Sequence, residues 1–381
     1  MKKLVLITIP IIIVIASILA LTVNSNKNKL ESADNSTELG VFSSQNILIS
    51  NDSSNIHDNT NEPEIEETHQ LTTSAWIVYW DLNRGIETVV NNKAIFTSAS
   101  PVWYAVNSDG SLALKSTARN NKLRDEFKQN SIKIIPTIAD FNSENLSIIL
   151  NSPSKRSQHI QYIINEVNTY DYDGIDIDYE DIKSNDKEVF SLFVKELSEN
   201  LHSYNKLLTI VLEPKTDAPE YTNFATRQAQ DWVEIAKYAD EIRIMGYDYQ
   251  HSYHTDFGPI SSVQWLETIL IYATETLQIP PEKIVLALPL YGYNWDSTGS
   301  SKTTAVTWED IQKIKINNSS HTDVLDELSK ENHLIYGTKH IWYQDSTSII
   351  YRLELAQKYK IKGVIFWRLG GEDEKIWEMI K

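Results

Sequence analysis

Residues 172–181 read YDGIDIDYED, and the alternation of carboxylates with bulky apolar residues in this stretch decides the fold. Successive side chains of a β-strand point to opposite faces, so Asp176, Asp178 and Glu180 share one face while Ile175, Ile177 and Tyr179 share the other. The second face is apolar and β-favouring, a surface suited to packing against helices. Same-face residues lie about 6.5–7 Å apart along a strand, close enough for the three acids to titrate as a coupled set. A like-charged neighbour raises a carboxyl pKa, which keeps a carboxylic acid protonated near neutral pH and able to serve as a general acid. Two other readings fit part of the pattern. One is an amphipathic antiparallel strand with a solvated acidic face. The other is a calcium loop counted from Thr169, which would lack a carboxylate at its first position and is opposed by the period of two.

With 381 residues the chain can hold one large or two ordinary domains, and 41% hydrophobic residues suffice for a sizeable core. Asp and Glu outnumber Lys and Arg 52 to 35, a net charge of −17. That balance argues against nucleic acid, whose phosphates are held by basic patches. Cysteine is absent, so neither a disulfide framework nor a thiolate metal site can form.

Residues 1–23 open with Lys2 and Lys3 and run apolar from Leu4 to Ala20, close to the roughly 20 residues that span a bilayer. They are expected to form an uncleaved transmembrane anchor or, in the alternative, a signal peptide cut near Val23-Asn24-Ser25. Either places the remainder outside the cytoplasm. Residues 24–73 turn to Ser, Asn, Asp, Glu and Thr, and between Leu30 and Gln70 Phe42 is the only aromatic residue and no Lys or Arg occurs. Such a stretch cannot bury enough apolar surface to offset chain entropy and reads as a disordered acidic linker.

From Ser74 onward short β-rich runs alternate with longer helical ones. Strands are predicted over residues 75–80, 102–106, 133–138, 174–179, 208–212, 241–245, 284–288 and 363–367, with helices over 157–167, 187–202, 229–238, 263–277 and 347–359. Strands that each cross over to the next fit an α/β fold, a closed (β/α)8 TIM barrel over residues 74–381. An open doubly wound sheet is the alternative, although residues 80–85, WDLNRG, are not its Gly-rich phosphate loop. The longest gap, 291–361, contains a strand-like pair at 334–336 and 340–343. It reads as a small insertion between the seventh and eighth strands, too short for a large α+β unit.

Chemistry in such barrels sits at the C-terminal strand ends. Tyr79, Trp80 and Asp81 follow the first strand, Asp140 the third, Asp178 and Glu180 the fourth, Glu213 the fifth, Tyr247 and Asp248 the sixth, Tyr291 the seventh and Trp367 the eighth. Carboxylates to handle protons and flat rings to stack on pyranoses are the chemistry of a sugar site.

Asp173, Asp176, Asp178 and Glu180 fill every position of a DxxDxDxE motif, and residues 245–248, MGYD, match M-x-Y-D. Together with Trp367 and residues 289–295, PLYGYNW, they make the chain from Ser74 onward resemble glycoside hydrolase family 18, the chitinase family. The resemblance implies retaining hydrolysis of an N-acetylhexosaminide by substrate assistance, a departure from the two-carboxylate scheme. It implies that Glu180 protonates the leaving oxygen and that Asp178 orients the N-acetyl group whose carbonyl oxygen attacks C1. Asp176 would share charge or a proton with Asp178, while Asp173, of opposite parity, would be structural. Tyr247 and Asp248 would bond the acetamido group and the sugar, Met245 and Tyr79 would join them in the substrate site, and Trp367 would floor the pocket. No metal or organic cofactor is implied, and the partner is an N-acetylated polysaccharide or oligosaccharide met by a monomer. Residues 366–373, FWRLGGED, are more similar to bacterial cell-wall and spore-associated members than to secreted chitinases, so peptidoglycan strands stand beside chitin oligosaccharides as substrates. A catalytically silent lectin and a structural surface protein on the same barrel are the competing classes. The presence of Glu180 counts against the lectin.

Overall fold

Parallel strands close on themselves in the computed structural model, which describes residues 69–219, 224–253 and 256–380. In chain order they are β1 (Thr72–Val78), β2 (Phe96–Val106) with its antiparallel partner β3 (Leu112–Leu114), and a divided third strand, β4 (Lys133–Ile134) and β5 (Thr137–Asp140). The barrel continues through β6 (Gly174–Tyr179), β7 (Leu207–Leu212), β8 (Glu241–Met245) and β9 (Ile284–Pro289). An insertion follows, with β10 (Tyr291–Asp296), β11 (Thr304–Thr307), β12 (Thr322–Leu325), β13 (Asn332–Tyr336) and β14 (Lys339–Tyr343), before β15 (Gly363–Trp367) completes the barrel. β1 pairs in parallel with β2 on one side and with β15 on the other, so no barrel edge is left open. The expected (β/α)8 barrel is therefore the fold, and the open sheet is excluded. The third strand is split because Pro136, having no N–H, cannot continue the ladder.

The parity read from residues 172–181 holds. Ile175, Ile177 and Tyr179 are buried outside the barrel, against helices Pro153–Thr169 and Lys187–His202. The second helix meets them with Phe190, Phe193, Val194, Leu197 and Leu201, the apolar stripe of a 3.6-residue period. The calcium-loop reading fails because residues 174–179 are strand and Asp171 is taken up by Lys128 and Lys206. Asp173 is structural as expected: its carboxylate accepts the Ile134 N–H at 2.8 Å, tying the entry of β6 to β4.

His159, on the first of those helices, is wholly buried; its Nδ1–H donates to the Gly110 carbonyl at 2.5 Å, and Nε2 accepts from the Tyr179 hydroxyl at 2.6 Å. Burial pulls its pKa down to about 4. Between that value and the unfolded value of about 6.5, only the unfolded ring takes up a proton, so stability falls as pH drops through this window, by up to about 3 kcal/mol. Urea unfolding from pH 7 to pH 4 should show this loss, and a His159→Asn variant should lack it. An unchanged slope in the variant would refute the assignment.

The insertion is more developed than the sequence suggests. Its five strands form an antiparallel sheet in the order β11-β10-β14-β13-β12, with helix Trp308–Asn317 against it. Val306, Ile311, Leu334, Ile341 and Tyr343 give it a small core of its own. The β13–β14 pair is legible in sequence, whereas β11 and β12, TAVT and TDVL, are too short and too exposed to show an apolar face. The gap is thus long enough for an α+β unit.

At the N-terminal side the fold begins ahead of Ser74: β1 starts at Thr72, and His69 Nε2 bonds the Ile361 carbonyl at 2.6 Å. The expected anchor at 1–23 and linker up to residue 68 lie outside the described residues. Among the described residues, no helix is long and apolar enough to cross a membrane.

Candidate active site

β6 delivers its three acids at three depths. Asp176 is deepest, because the register sets Thr137 of β5 and Thr209 of β7 on either side of it. Their hydroxyls donate to it at 2.8 and 2.6 Å, and Trp76 Nε1 donates at 2.9 Å. Arg243 of β8, fully buried, adds an ion pair at 3.1 Å. Burying such a charge requires a partner of this kind. Asp176 is one of the groups whose charge raises the pKa of the Asp178 carboxyl.

Asp178 lies one pleat higher, paired across the ladder with Ala139 of β5. Burial, then the charges of Asp176 and Glu213, hold its carboxyl well above the usual carboxylate range. Its Oδ1 is buried without a hydrogen-bond partner. Glu180 follows at the strand end, and its carboxyl is also held well above its ordinary value, by burial first and then by Asp178, Glu213, Asp181 and Asp248. These are the conditions that keep a carboxylic acid protonated.

The opposite wall comes from β8. Burial, then the charges of Asp178, Glu180, Asp248 and Glu213, push the Tyr247 hydroxyl far above its usual pKa, so it remains a neutral donor among carboxyls. Asp248 adopts a left-handed backbone, φ 59°, and its carboxylate accepts hydrogen bonds from the Tyr291 and Tyr293 hydroxyls. Glu213, at the end of β7, has Arg227 Nη2 at 3.7 Å and is raised by burial. The floor is an apolar cluster of Trp76, Val211, Met245 and Ile365, against which Tyr247 and Trp367 pack, the two tryptophans edge to face at 5.8 Å.

The structure therefore brings Asp176, Asp178, Glu180, Tyr247, Asp248, Met245 and Trp367 together. Tyr79 stands at the rim, edge-on to Trp80 at 4.7 Å with the Lys115 ammonium over its ring. Two other strand-end acids belong to the framework instead. Asp81 is held by Arg84 and Arg368, and Asp140 accepts the N–H groups of Val106 and Asn142, both at 2.9 Å. Exposed rings of Trp80, Phe141, Phe224, Tyr253 and Phe257 stand on the loops after β1, β5, β7 and β8. Arg243 and Tyr293 were not anticipated. A signal existed for the first: Glu241, Arg243 and Met245 alternate in a strand whose interior face already requires a counter-charge for Asp176. Among the described residues no three His, Asp or Glu side chains are grouped to hold a metal ion.

A TIM barrel with paired, proton-retaining carboxyls above an aromatic floor defines a glycosidase. Residues 24–372 match glycosyl hydrolases family 18, and the chain belongs to that family. The match extends N-terminally beyond Ser74, into the stretch expected to be linker. A curated relative, the uncharacterized glycosylase YvbX of Bacillus subtilis (strain 168), is 28% identical over 253 residues, 64% of this chain and 71% of its own length. The structure of a chitinase from Chromobacterium violaceum ATCC 12472 superposes with a TM-score of 0.74 at 20% identity, covering 81% of this chain and 98% of that one. The spore cortex-lytic enzyme SleL of Bacillus megaterium QM B1551 gives 0.73 at 21% identity, covering 83% and 74%.

Proposed function

We propose that this glycoside hydrolase cleaves β-linked N-acetylhexosaminides with retention, using the substrate's own acetamido oxygen as the nucleophile. The observation that carries the reading is Asp178. A protonation-favouring carboxyl with a buried, unpartnered oxygen beside the neutral Tyr247 hydroxyl suits an acetamido group, whose N–H would donate to Asp178 and whose carbonyl would accept from Tyr247. Glu180, one pleat further out, protonates the leaving oxygen. Asp176 serves through its fixed place beneath Asp178, and Trp367 and Met245 floor the distorted sugar. Asp248 and Tyr79 bind around it. The exposed rings at the mouth are suited to stack along a polymer. Peptidoglycan strands and chitin oligosaccharides both carry the required group, and the likeness to a chitinase and to a spore cortex-lytic enzyme supports both. The apolar run behind Lys2 and Lys3 supports action outside the cytoplasm, with residues 1–23 as an anchor, the acidic stretch after it as linker and the barrel, which includes His69 and Thr72, as the catalytic unit.

The test is release of reducing ends from chitooligosaccharides and, in parallel, purified peptidoglycan, with the product anomer read by NMR. The β-anomer is expected, and an N-trifluoroacetyl substrate, whose carbonyl is a poorer nucleophile, should react more slowly. Inversion, or indifference to the acyl group, would sink the mechanism.

The pH profile follows from the same carboxyl. Glu180 works only when protonated, and its raised pKa extends that state above the ordinary Glu range. The value of kcat/KM should therefore persist toward neutral pH and fall as pH rises through the pKa of Glu180. A rate that climbs steadily with pH would contradict its role as an acid.

A further inference from the structure

The insertion reaches into the wall of the site through charges that are completely buried. Glu331, next to β13, accepts the Ile260 N–H at 2.9 Å on one oxygen and the Ser261 N–H at 3.0 Å on the other. Arg352, on helix Ser346–Lys358, donates to the same carboxylate at 3.3 Å, and both side chains are 0% exposed. Arg352 also donates to the carbonyls of Ser261, Lys330 and Ser348.

Ser261 passes this anchorage on. Its hydroxyl donates to the carbonyl of Gly246, the residue between Met245 and Tyr247. The Gly246 N–H donates to the Ala287 carbonyl at 2.9 Å, an approach so close that a Cβ at Gly246 would lie 2.7 Å from that oxygen. The backbone that presents Tyr247 and Asp248 is thus pinned by β9 on one side and by Ser261 on the other. The hydroxyls that hold Asp248 come from Tyr291 and Tyr293 of β10, and Ile260 packs with Trp295 and Trp342 of the same insertion.

We propose that Glu331 is a positioning residue for hydrolysis: through Arg352 and Ser261 it fixes Tyr247 and Asp248 where they meet the acetamido group. This rests on the N-acetylhexosaminide reading above. In Glu331→Gln an amide N–H replaces one acceptor oxygen and faces a backbone N–H, leaving a buried donor unsatisfied and Arg352 without its counter-charge. Misplacement of a binding wall by about 1 Å can cost about 10²-fold in rate.

The experiment uses the full chain and chitooligosaccharide or peptidoglycan hydrolysis, whichever the wild type performs. Glu331→Gln should lower kcat about 10- to 100-fold with a much smaller change in KM. It should also move the alkaline limb of the pH profile downward, because Asp248 is one of the charges that raise Glu180. With rates expressed per folded enzyme, neither change follows from lost stability alone. Arg156→Ala calibrates that loss, since it removes a largely buried ion pair to Glu196 among the outer helices and should lower Tm while keeping kcat and the limb. Should Glu331→Gln not fold, Ser261→Ala, which deletes only the hydroxyl bond to Gly246, carries the test with an expected loss of about 5- to 10-fold in kcat. A folded Glu331→Gln or Ser261→Ala with wild-type kcat and pH limb overturns the proposal alone. A folded wild type that cuts neither glycan overturns the N-acetylhexosaminide reading and the proposal with it.

Discussion

Glu180→Gln is expected to lower kcat by about 10³- to 10⁴-fold while substrate affinity stays within a few-fold. The amide is nearly isosteric with the protonated acid and keeps its place at the end of β6, so the cleft is unchanged for binding. What it lacks is a transferable proton. The loss should therefore depend on the leaving group. A substrate whose aglycone departs without protonation, such as a dinitrophenyl glycoside, should recover much of the rate of the bond-breaking step, and calorimetry on an intact oligosaccharide should still report binding. A variant within 10-fold of wild-type kcat on natural linkages would remove Glu180 from its role.

Asp178→Asn should cost about 10²- to 10³-fold, for a different reason. Here the departing oxygen is still protonated, but the amide cannot hold the acetamido group as a carboxyl does, and the nucleophile is no longer aimed at C1. Rescue by an activated leaving group should accordingly fail, which separates the two variants kinetically. A second signature comes from electrostatics. After burial, Asp178 is the leading contributor to the raised pKa of Glu180. Removing its carboxyl should bring the alkaline limb of kcat/KM to lower pH, whereas in Glu180→Gln that limb should vanish. Leaving-group rescue of Asp178→Asn to wild-type rates would mean that Asp178 does not orient the nucleophile.

The acid-bearing strand was legible because period-2 alternation and pairs of carboxylates are local properties of the chain. The bounds of β6, β8 and β15 match the sequence reading, the last because GVIFW is a short continuous apolar, β-favouring run. What stayed hidden depends on partners far away in sequence. Asp81 and Asp140 each have one tie close by in sequence, to Arg84 and to the Asn142 N–H, but the ties that fasten them to other elements come from Arg368 and from the backbone of Val106. The environment of Asp176 is set by the register between β5, β6 and β7, which side-chain patterns do not reveal. Glu331 sits in a polar stretch that reads as surface, and only the packed insertion shows it to be buried. Pro136 was visible within the predicted third strand, and the break it produces follows from its missing N–H.

The pairing of β1 with β15 also bears on the order in which the molecule can become competent. Ser74 and Val364, joined by a hydrogen bond, are 290 residues apart along the chain. Contacts of such span form late, because a long loop must close before they return any stabilisation. A chain emerging from its N-terminus would carry every acid of the site well before it acquired Trp367 beside Trp76. Until β15 slots between β1 and β9, two strand edges lack their partner and the floor of the pocket lacks Ile365 and Trp367. On this topology the complete site is expected only at ring closure, when β15 brings Trp367 beside Trp76.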